Sequence, residues 1–314
     1  MIKIICEVGS NWSTYDHCVD SISTAYACGA NAVKFQLYEH KALYGFKQTP
    51  FKVDMPGTLP VAWLPKLSRK AKTIGIQFMC SAFSPELLKE VDPYVETHKV
   101  ASAELTHKRL LQAINATGKP VILSTGASGL ADIGMALEHL KDCKVTILYC
   151  VASYPARYVN FDRLHELTKE FGQGYTYGFS DHTTDVAIIP VKAWHLGATV
   201  IEKHVNFVGA TGPDSPHSLN TDEFKLMVKA LRGEDLPMMN NSEHDMYVKH
   251  NRRLVAIQDI RLGDTFQEGI NFGIFRSLHP ETSALSPWVI DKVVGKVSKK
   301  EIKAGQGIEP SAVF

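Results

Sequence analysis

A chain of 314 residues with 34 basic and 33 acidic side chains, net charge +1, has no long-range field to gather nucleic acid or an anionic membrane, so an anionic ligand must be held locally. Its length exceeds the roughly 250–300 residues at which a single core stops growing, which points to one large and one small domain. The six cysteines (Cys6, Cys18, Cys28, Cys80, Cys143 and Cys150) form no CxxC pair, and Cys6, Cys80 and Cys150 lie in apolar strand-like runs, as small buried hydrophobes in a reducing compartment do. The opening Met1-Ile2-Lys3-Ile4-Ile5-Cys6 turns polar at Glu7, too soon for a signal peptide, and no later run approaches ~20 apolar residues. The expectation is a soluble, cytoplasmic protein with neither membrane nor nucleic acid among its partners.

From the start to about residue 231, short apolar runs rich in β-branched residues alternate with longer segments of helical period, the pattern of repeated βα units. Eight strands are expected: Ile2 to Val8, Ala32 to Leu37, Ile76 to Cys80, His98 to Ala101, Val121 to Ser124, Val145 to Cys150, Thr176 to Phe179 and Thr199 to His204. Amphipathic segments such as Asp16 to Cys28, Ala62 to Ile74, Lys108 to Thr117 and Ser128 to Lys141 lie between them. Parallel strands in this order suit a closed (β/α)8 TIM barrel of ~250 residues. An open doubly wound sheet would usually carry a Gly-rich turn after its first strand, and Glu7-Val8-Gly9-Ser10-Asn11 is not GxGxxG. The barrel is placed at residues 1–232 and a linker at 233–249, where Asn240-Asn241-Ser242-Glu243-His244-Asp245 breaks the apolar period. Residues 250–314 then show strand-like runs (Leu254-Val255-Ala256-Ile257, Ile274-Phe275, Val293-Val294) punctuated by Gly263, Gly295, Gly305 and Gly307, which suggests a small β-rich domain. A core that small needs a surface to pack on.

In a barrel the chemistry belongs at the C-terminal strand ends, and there the polar residues gather. In strand order they are Glu7 and Asn11, Lys34 and Gln36, Ser81, Lys99 with Ser102 and Glu104, Ser124 and Thr125, Tyr154, Ser180 with His182, and Glu202 with His204. Any one hydroxyl here is ordinarily a strand-end or helix-cap group. Lys34 is different, because alternation along Ala32-Val33-Lys34-Phe35-Gln36-Leu37 turns Lys34 and Gln36 into the barrel, where an unpaired ammonium is costly. Lys34, Lys99 and the hydroxyls make a cradle for a small anion such as a phosphate or carboxylate. By the same alternation His182 shares a face with Ser180 and His204 with Glu202, so two imidazoles can converge on one metal ion. Histidine and oxygen ligands without cysteine favour an exchangeable octahedral ion such as Mn²⁺ or Mg²⁺ over structural zinc. Glu7, Glu104 and Glu202 become candidates for moving protons.

These residues fall within motifs that resemble the sialic acid synthase family, which condenses phosphoenolpyruvate with an N-acetylated hexosamine. The motifs are Cys6-Glu7-Val8-Gly9-Ser10-Asn11, Gly29-Ala30-Asn31-Ala32-Val33-Lys34-Phe35-Gln36, His98-Lys99-Val100-Ala101-Ser102-Ala103-Glu104, Leu123-Ser124-Thr125-Gly126, Tyr154-Pro155, Gly178-Phe179-Ser180-Asp181-His182-Thr183, Gly197-Ala198-Thr199-Val200-Ile201-Glu202-Lys203-His204 and Gly212-Pro213-Asp214. The segment from Arg253-Leu254-Val255-Ala256 through Phe275-Arg276 is similar to the family's antifreeze-like SAF domain. The resemblance implies that His182 and His204 bind a divalent metal, Mn²⁺ first, with Mg²⁺ and Co²⁺ as alternatives. It implies that Lys34, Ser81, Lys99, Ser102, Ser124 and Ser180 hold phosphoenolpyruvate, and that Gln36, Glu104, Tyr154 and Asp214 face the sugar. It also implies a domain-swapped homodimer in which Arg276 reaches the partner's site. Glu7, Glu104 and Lys34 are the expected catalytic residues, with Glu7 and Glu104 equal candidates for handling the attacking water.

Some positions depart from the family pattern. Trp12 stands where a His is usual, a donor-only ring in place of a proton acceptor, and Ala152 stands where the family carries Asn or Ser. Ser81-Ala82 replaces Thr-Pro and keeps the hydroxyl. Trp12 and Ala152 leave room for a non-catalytic sugar-binding relative, or a synthase acting on another aldose, as the alternative. A metal-dependent barrel hydrolase of the common kind needs an HxH after strand one, which this chain lacks.

Overall fold

The computed structural model describes residues 2–39, 43–44, 58–233, 251–278 and 283–314, in two compact units, Met1–Leu236 and Pro237–Phe314. Apart from Gly233, the expected linker lies outside the described residues. In the first unit, β1 (Lys3–Glu7), β2 (Ala32–Leu37), β3 (Gln77–Ala82), β4 (His98–Val100), β5 (Val121–Ser124), β6 (Val145–Cys150), β7 (Thr176–Asp181) and β8 (Val200–His204) close into a parallel barrel in chain order. Closure is the β1 to β8 pairing, which sets Glu7 beside His204, while β1 to β2 sets Glu7 beside Lys34. Each strand is followed by a helix: α1 (Tyr15–Ala27), α2 (Leu64–Ile74), α3 (Pro85–Val91), α4 (Lys108–Asn115), α5 (Leu130–Glu138), α6 (Asp162–Phe171), α7 (Ile188–His195) and α8 (Thr221–Arg232). The barrel reading of the sequence holds.

The helices form because their ends are written into the chain. Ser84 caps α3 by accepting from the Leu87 amide, and Asn220 with Glu223 makes a capping box on α8, which Gly233 ends at φ 66°. Apolar stripes such as Leu110, Leu111 and Ile114 of α4 pack on the outward strand residues Ile4, Val33, Phe35, Leu123 and Ile201 in one core. Most strand ends differ from expectation by one residue at most, and two strands run two residues further than expected. β3 runs through Ser81 to Ala82, and β7 runs through Ser180 to Asp181, because polar side chains that face a buried site do not interrupt the ladder.

The second unit pairs β9 (Arg253–Ala256) antiparallel to β10 (Phe272–Phe275), with further bridges at Ile260 to Ile302 and Thr265 to Val297. Its core is built on Leu254, Ile260, Phe266, Phe272, Val293, Ile302 and Ile308. The strand-like run Val293-Val294 corrects to the end of a helix, α9 (Ile290–Val293). Pro287 opens the 3₁₀ turn before it and Gly295, at φ 79°, ends it, so the punctuation outweighs β-branching while Val293 still reaches the core. A final short helix is α10 (Pro310–Val313).

Candidate active site

The barrel interior is built in layers two residues apart. Ile5, Ala32, Met79, Ile122, Leu148 and Val200 form an apolar floor. Two residues further along the same strands stand Glu7, Lys34, Ser81, Ser124, Cys150 and Glu202, all buried. Strand β7 reaches this level only through a glycine: a Cβ on Gly178 would lie 2.4 Å from the Val200 carbonyl oxygen and 2.6 Å from Leu148 Cδ2. That opening lets Ser180 join the polar layer.

Charge in the layer is paired. Lys34 Nζ lies 2.5 Å from Glu7 Oε2 and 3.8 Å from Glu202 Oε2, and donates to Ser81 Oγ. Lys99 Nζ lies 3.7 Å from Glu202 Oε1 and donates to Ser124 Oγ at 2.7 Å, while Ser180 donates to Glu202 Oε1 at 2.9 Å. Gln36 Nε2 donates to Glu7 Oε1 at 2.7 Å. Burial pushes the Glu7 carboxyl up to about 7, even against Lys34. Burial alone would also raise Glu202, but Lys34 and Lys99 outweigh it and hold that carboxyl below its ordinary value. Lys34 is likewise desolvated, yet Glu202 and Glu7 keep it charged, whereas desolvation prevails at Lys99 and lowers its pKa. Two ammonium groups thus flank the two oxygens of Glu202, with the raised Glu7 carboxyl beside one of them.

Above the layer on the β7 and β8 side, the His182 and His204 rings lie 5.4 Å apart, centroid to centroid. His182 Nδ1 is tied to the Val151 carbonyl at 2.8 Å, which leaves Nε2 with a free lone pair, and Tyr154 stacks on the ring at 4.2 Å. Burial holds His182 down to about 4 and His204 well below its ordinary value, so both are neutral imidazoles, the form that binds metal. Asp214 joins them through a turn fastened to the first βα loop: Ser10 N donates to its Oδ2 at 2.7 Å, and Asn11 Nδ2 donates to Val205 O and Ser218 Oγ, each at 2.7 Å. Gly9, at φ 54°, permits this approach, since a Cβ there would lie 2.3 Å from Asp214 Oδ2.

The remaining expected residues are spread more widely. Ser102 accepts from the Gly126 amide at 3.0 Å at the edge of the site. Glu104 is buried in the 3₁₀ turn Ser102–Glu104, where desolvation raises its carboxyl, and the ion pairs of Lys34 and Lys99 go to Glu7 and Glu202 instead. Arg276 lies exposed in the second unit, just after β10. Trp12 donates to the Gly9 carbonyl and packs edge-on against Trp63 at 5.4 Å, so its ring is a packing element beside α2. The sequence reading missed His217, which is buried beside Asp214 and His204, and Cys150, whose Sγ lies 3.7 Å from His182 Nδ1. A signal for His217 was its place three residues after Asp214.

The NeuB family profile matches residues 21–241. The chain belongs to the NeuB family. Its motif resemblance to sialic acid synthases is thus a family membership. This NeuB-family chain is 32% identical to the spore coat polysaccharide biosynthesis protein SpsE of Bacillus subtilis, over 74% of this chain and 67% of that one. It is 27% identical to the pseudaminic acid synthase of Helicobacter pylori, over 96% and 95%. The solved N-acetylneuraminic acid (sialic acid) synthetase of Leptospira borgpetersenii, in complex with citrate, superposes with a TM-score of 0.67 at 26% identity, over 78% of this chain and 89% of that one. NeuB-family synthases therefore share both the barrel and the sequence pattern of this chain.

Proposed function

We propose that this NeuB-family synthase condenses phosphoenolpyruvate with the open-chain aldehyde of an N-acetylated amino sugar to give a nonulosonic acid and phosphate. The observation that carries the reading is the charged layer: Lys34 and Lys99 flank Glu202 on an apolar floor, ringed by Ser81, Ser124 and Ser180. Those groups suit a compact, multiply charged anion that carries both phosphate and carboxylate. His182 and His204 would hold a divalent cation, Mn²⁺ before Mg²⁺ or Co²⁺, which would supply Lewis-acid polarisation of the sugar aldehyde. The unpaired His204 Nδ1 and the tied Nδ1 of His182 support that fit.

The chemistry follows from the side chains present. Phosphoenolpyruvate C3 attacks the aldehyde carbon, and positive charge develops at C2 within reach of the Glu202 and Glu7 carboxylates. Water adds at C2 and passes a proton to Glu7, whose pKa of about 7 suits exchange at neutral pH. The C2 hydroxyl then becomes a ketone as the C2–O bond breaks: phosphate leaves with the bridging oxygen and that hydroxyl's proton, while the former aldehyde oxygen takes up the equivalent of the proton that Glu7 accepted. Lys34 holds Glu7 in place and stabilises its carboxylate. Glu7 is favoured over Glu104 because it lies within the lysine layer, paired with Lys34. Tyr154, Gln36 and Asp214 face the sugar, Ser102 extends the anion cradle, and the second unit acts as a SAF domain whose Arg276 serves the partner subunit of a cytoplasmic homodimer.

Phosphoenolpyruvate carrying ¹⁸O at the bridging position tests this. The label is expected in the released phosphate, and label retained in the organic product would contradict C–O cleavage.

A further inference from the structure

The sequence and the family pattern single out His182 and His204, but the geometry gathers a different trio. One ligand atom from each of His204, Asp214 and His217 lies within 4.8 Å of the other two. Asp214 Oδ2 is 3.9 Å from His204 Nδ1, and its Oδ1 is 3.8 Å from His217 Nε2. Both separations exceed a hydrogen bond, and both nitrogens are buried without a partner. Two orphaned imidazole nitrogens and a carboxylate, in adjoining walls of one mouth, are what a cation of borderline hardness satisfies.

The turn is built to hold these groups in place. His217 ends the 3₁₀ turn Ser215–His217, which Asp214 begins. Ser215 Oγ donates to Asn11 Oδ1 at 3.0 Å, tying the turn to the first βα loop, and Ser218 Oγ donates to the Asp214 carbonyl at 2.6 Å, closing the turn on itself. The His217 ring lies 4.8 Å from that of His204 and 6.4 Å from that of His182, centroid to centroid, with Tyr154 leaning on it at 4.9 Å. Three imidazoles thus ring one opening.

We infer that His217 Nε2 and Asp214 complete the divalent-cation site begun by His182 and His204, giving three imidazoles and one carboxylate. This deepens the proposed function and rests on its reading of the histidine pair. Asp214, expected to face the sugar, binds the cation as well. A fuller protein shell leaves fewer positions for solvent and substrate oxygen, and gives tighter binding than a histidine pair would.

The test is Mn²⁺ binding to the full chain, read from loss of the free-ion electron paramagnetic resonance signal, with pulsed methods counting imidazole nitrogens on the bound ion. Wild type is expected to show three nitrogens, and His217→Gln two, with a dissociation constant raised at least about tenfold. Two nitrogens in wild type would overturn the inference, a count unchanged in His217→Gln would leave the pair intact, and no Mn²⁺ binding by wild type would overturn both. The wild-type count decides the matter by itself if His217→Gln does not fold.

Discussion

Glu7 is the residue on which the chemistry turns, because burial and Lys34 pull its pKa in opposite directions and leave it near 7. If deprotonated Glu7 accepts the water proton, kcat rises with pH through about 7 and levels above it. Glu7→Gln is expected to lower kcat roughly 10²–10⁴-fold and to remove that limb; a variant that keeps the limb would assign the titration to another group. The same shift has a stability sign. A carboxyl raised in the folded state stabilises fully below its ordinary value, and that stabilisation is lost as pH rises through about 7. Differential scanning calorimetry should therefore show Glu7→Gln gaining on wild type between pH 5 and pH 8, and a pH-independent difference would contradict the raised pKa. The inward position of Lys34 and Gln36 was legible because strand period alone sets it. His217 was not, since a loop residue has no period to place it. Trp12 read as a departure in the site, yet it packs against Trp63, a partner distant in sequence.

At the scale of elements, the loop after β1 and the turn at 212–218 behave as one clamp. Asn11, fully buried, joins them through both its donor and its acceptor atoms. Asn11→Ala removes three buried or half-buried hydrogen bonds, and should cost about 2–4 kcal/mol by denaturant unfolding, with weaker Mn²⁺ binding. A loss under ~0.5 kcal/mol would mean the turn holds itself. Strand β7 depends on Gly178 in the same way: Gly178→Ala drives a Cβ into the Val200 carbonyl and Leu148, and about 1–3 kcal/mol of destabilisation is expected. The eight strands were legible as apolar runs, but β7 was cut short where Ser180 and Asp181 turn polar. Buried polarity is the mark of a site, and to a hydrophobic pattern it looks like a strand end.

For the whole molecule, the two units keep separate cores, residues 2–231 for the barrel and 254–313 for the second unit. A chain of residues 1–236 should therefore unfold cooperatively by itself, and a non-cooperative melt would show that the barrel needs the rest. If Arg276 serves the partner's site, mixing inactive Arg276→Ala and Lys34→Ala proteins should restore activity through mixed dimers, and no recovery would contradict the exchanged arrangement. Among the described residues no helix is long and apolar enough to cross a membrane. The barrel was legible from the alternation of its units, whereas the acceptor sugar was not, because residues on loops, such as Asp214, have no strand or helix period to place them. The most direct measurement is mass spectrometry of the product formed with Mn²⁺, phosphoenolpyruvate and a panel of acetamido hexoses, including N-acetylmannosamine, its 6-phosphate and 2,4-diacetamido-6-deoxy hexoses. For at least one sugar, a nonulosonic acid with one equivalent of phosphate released is expected; neither product with any member of the panel would contradict the synthase reading.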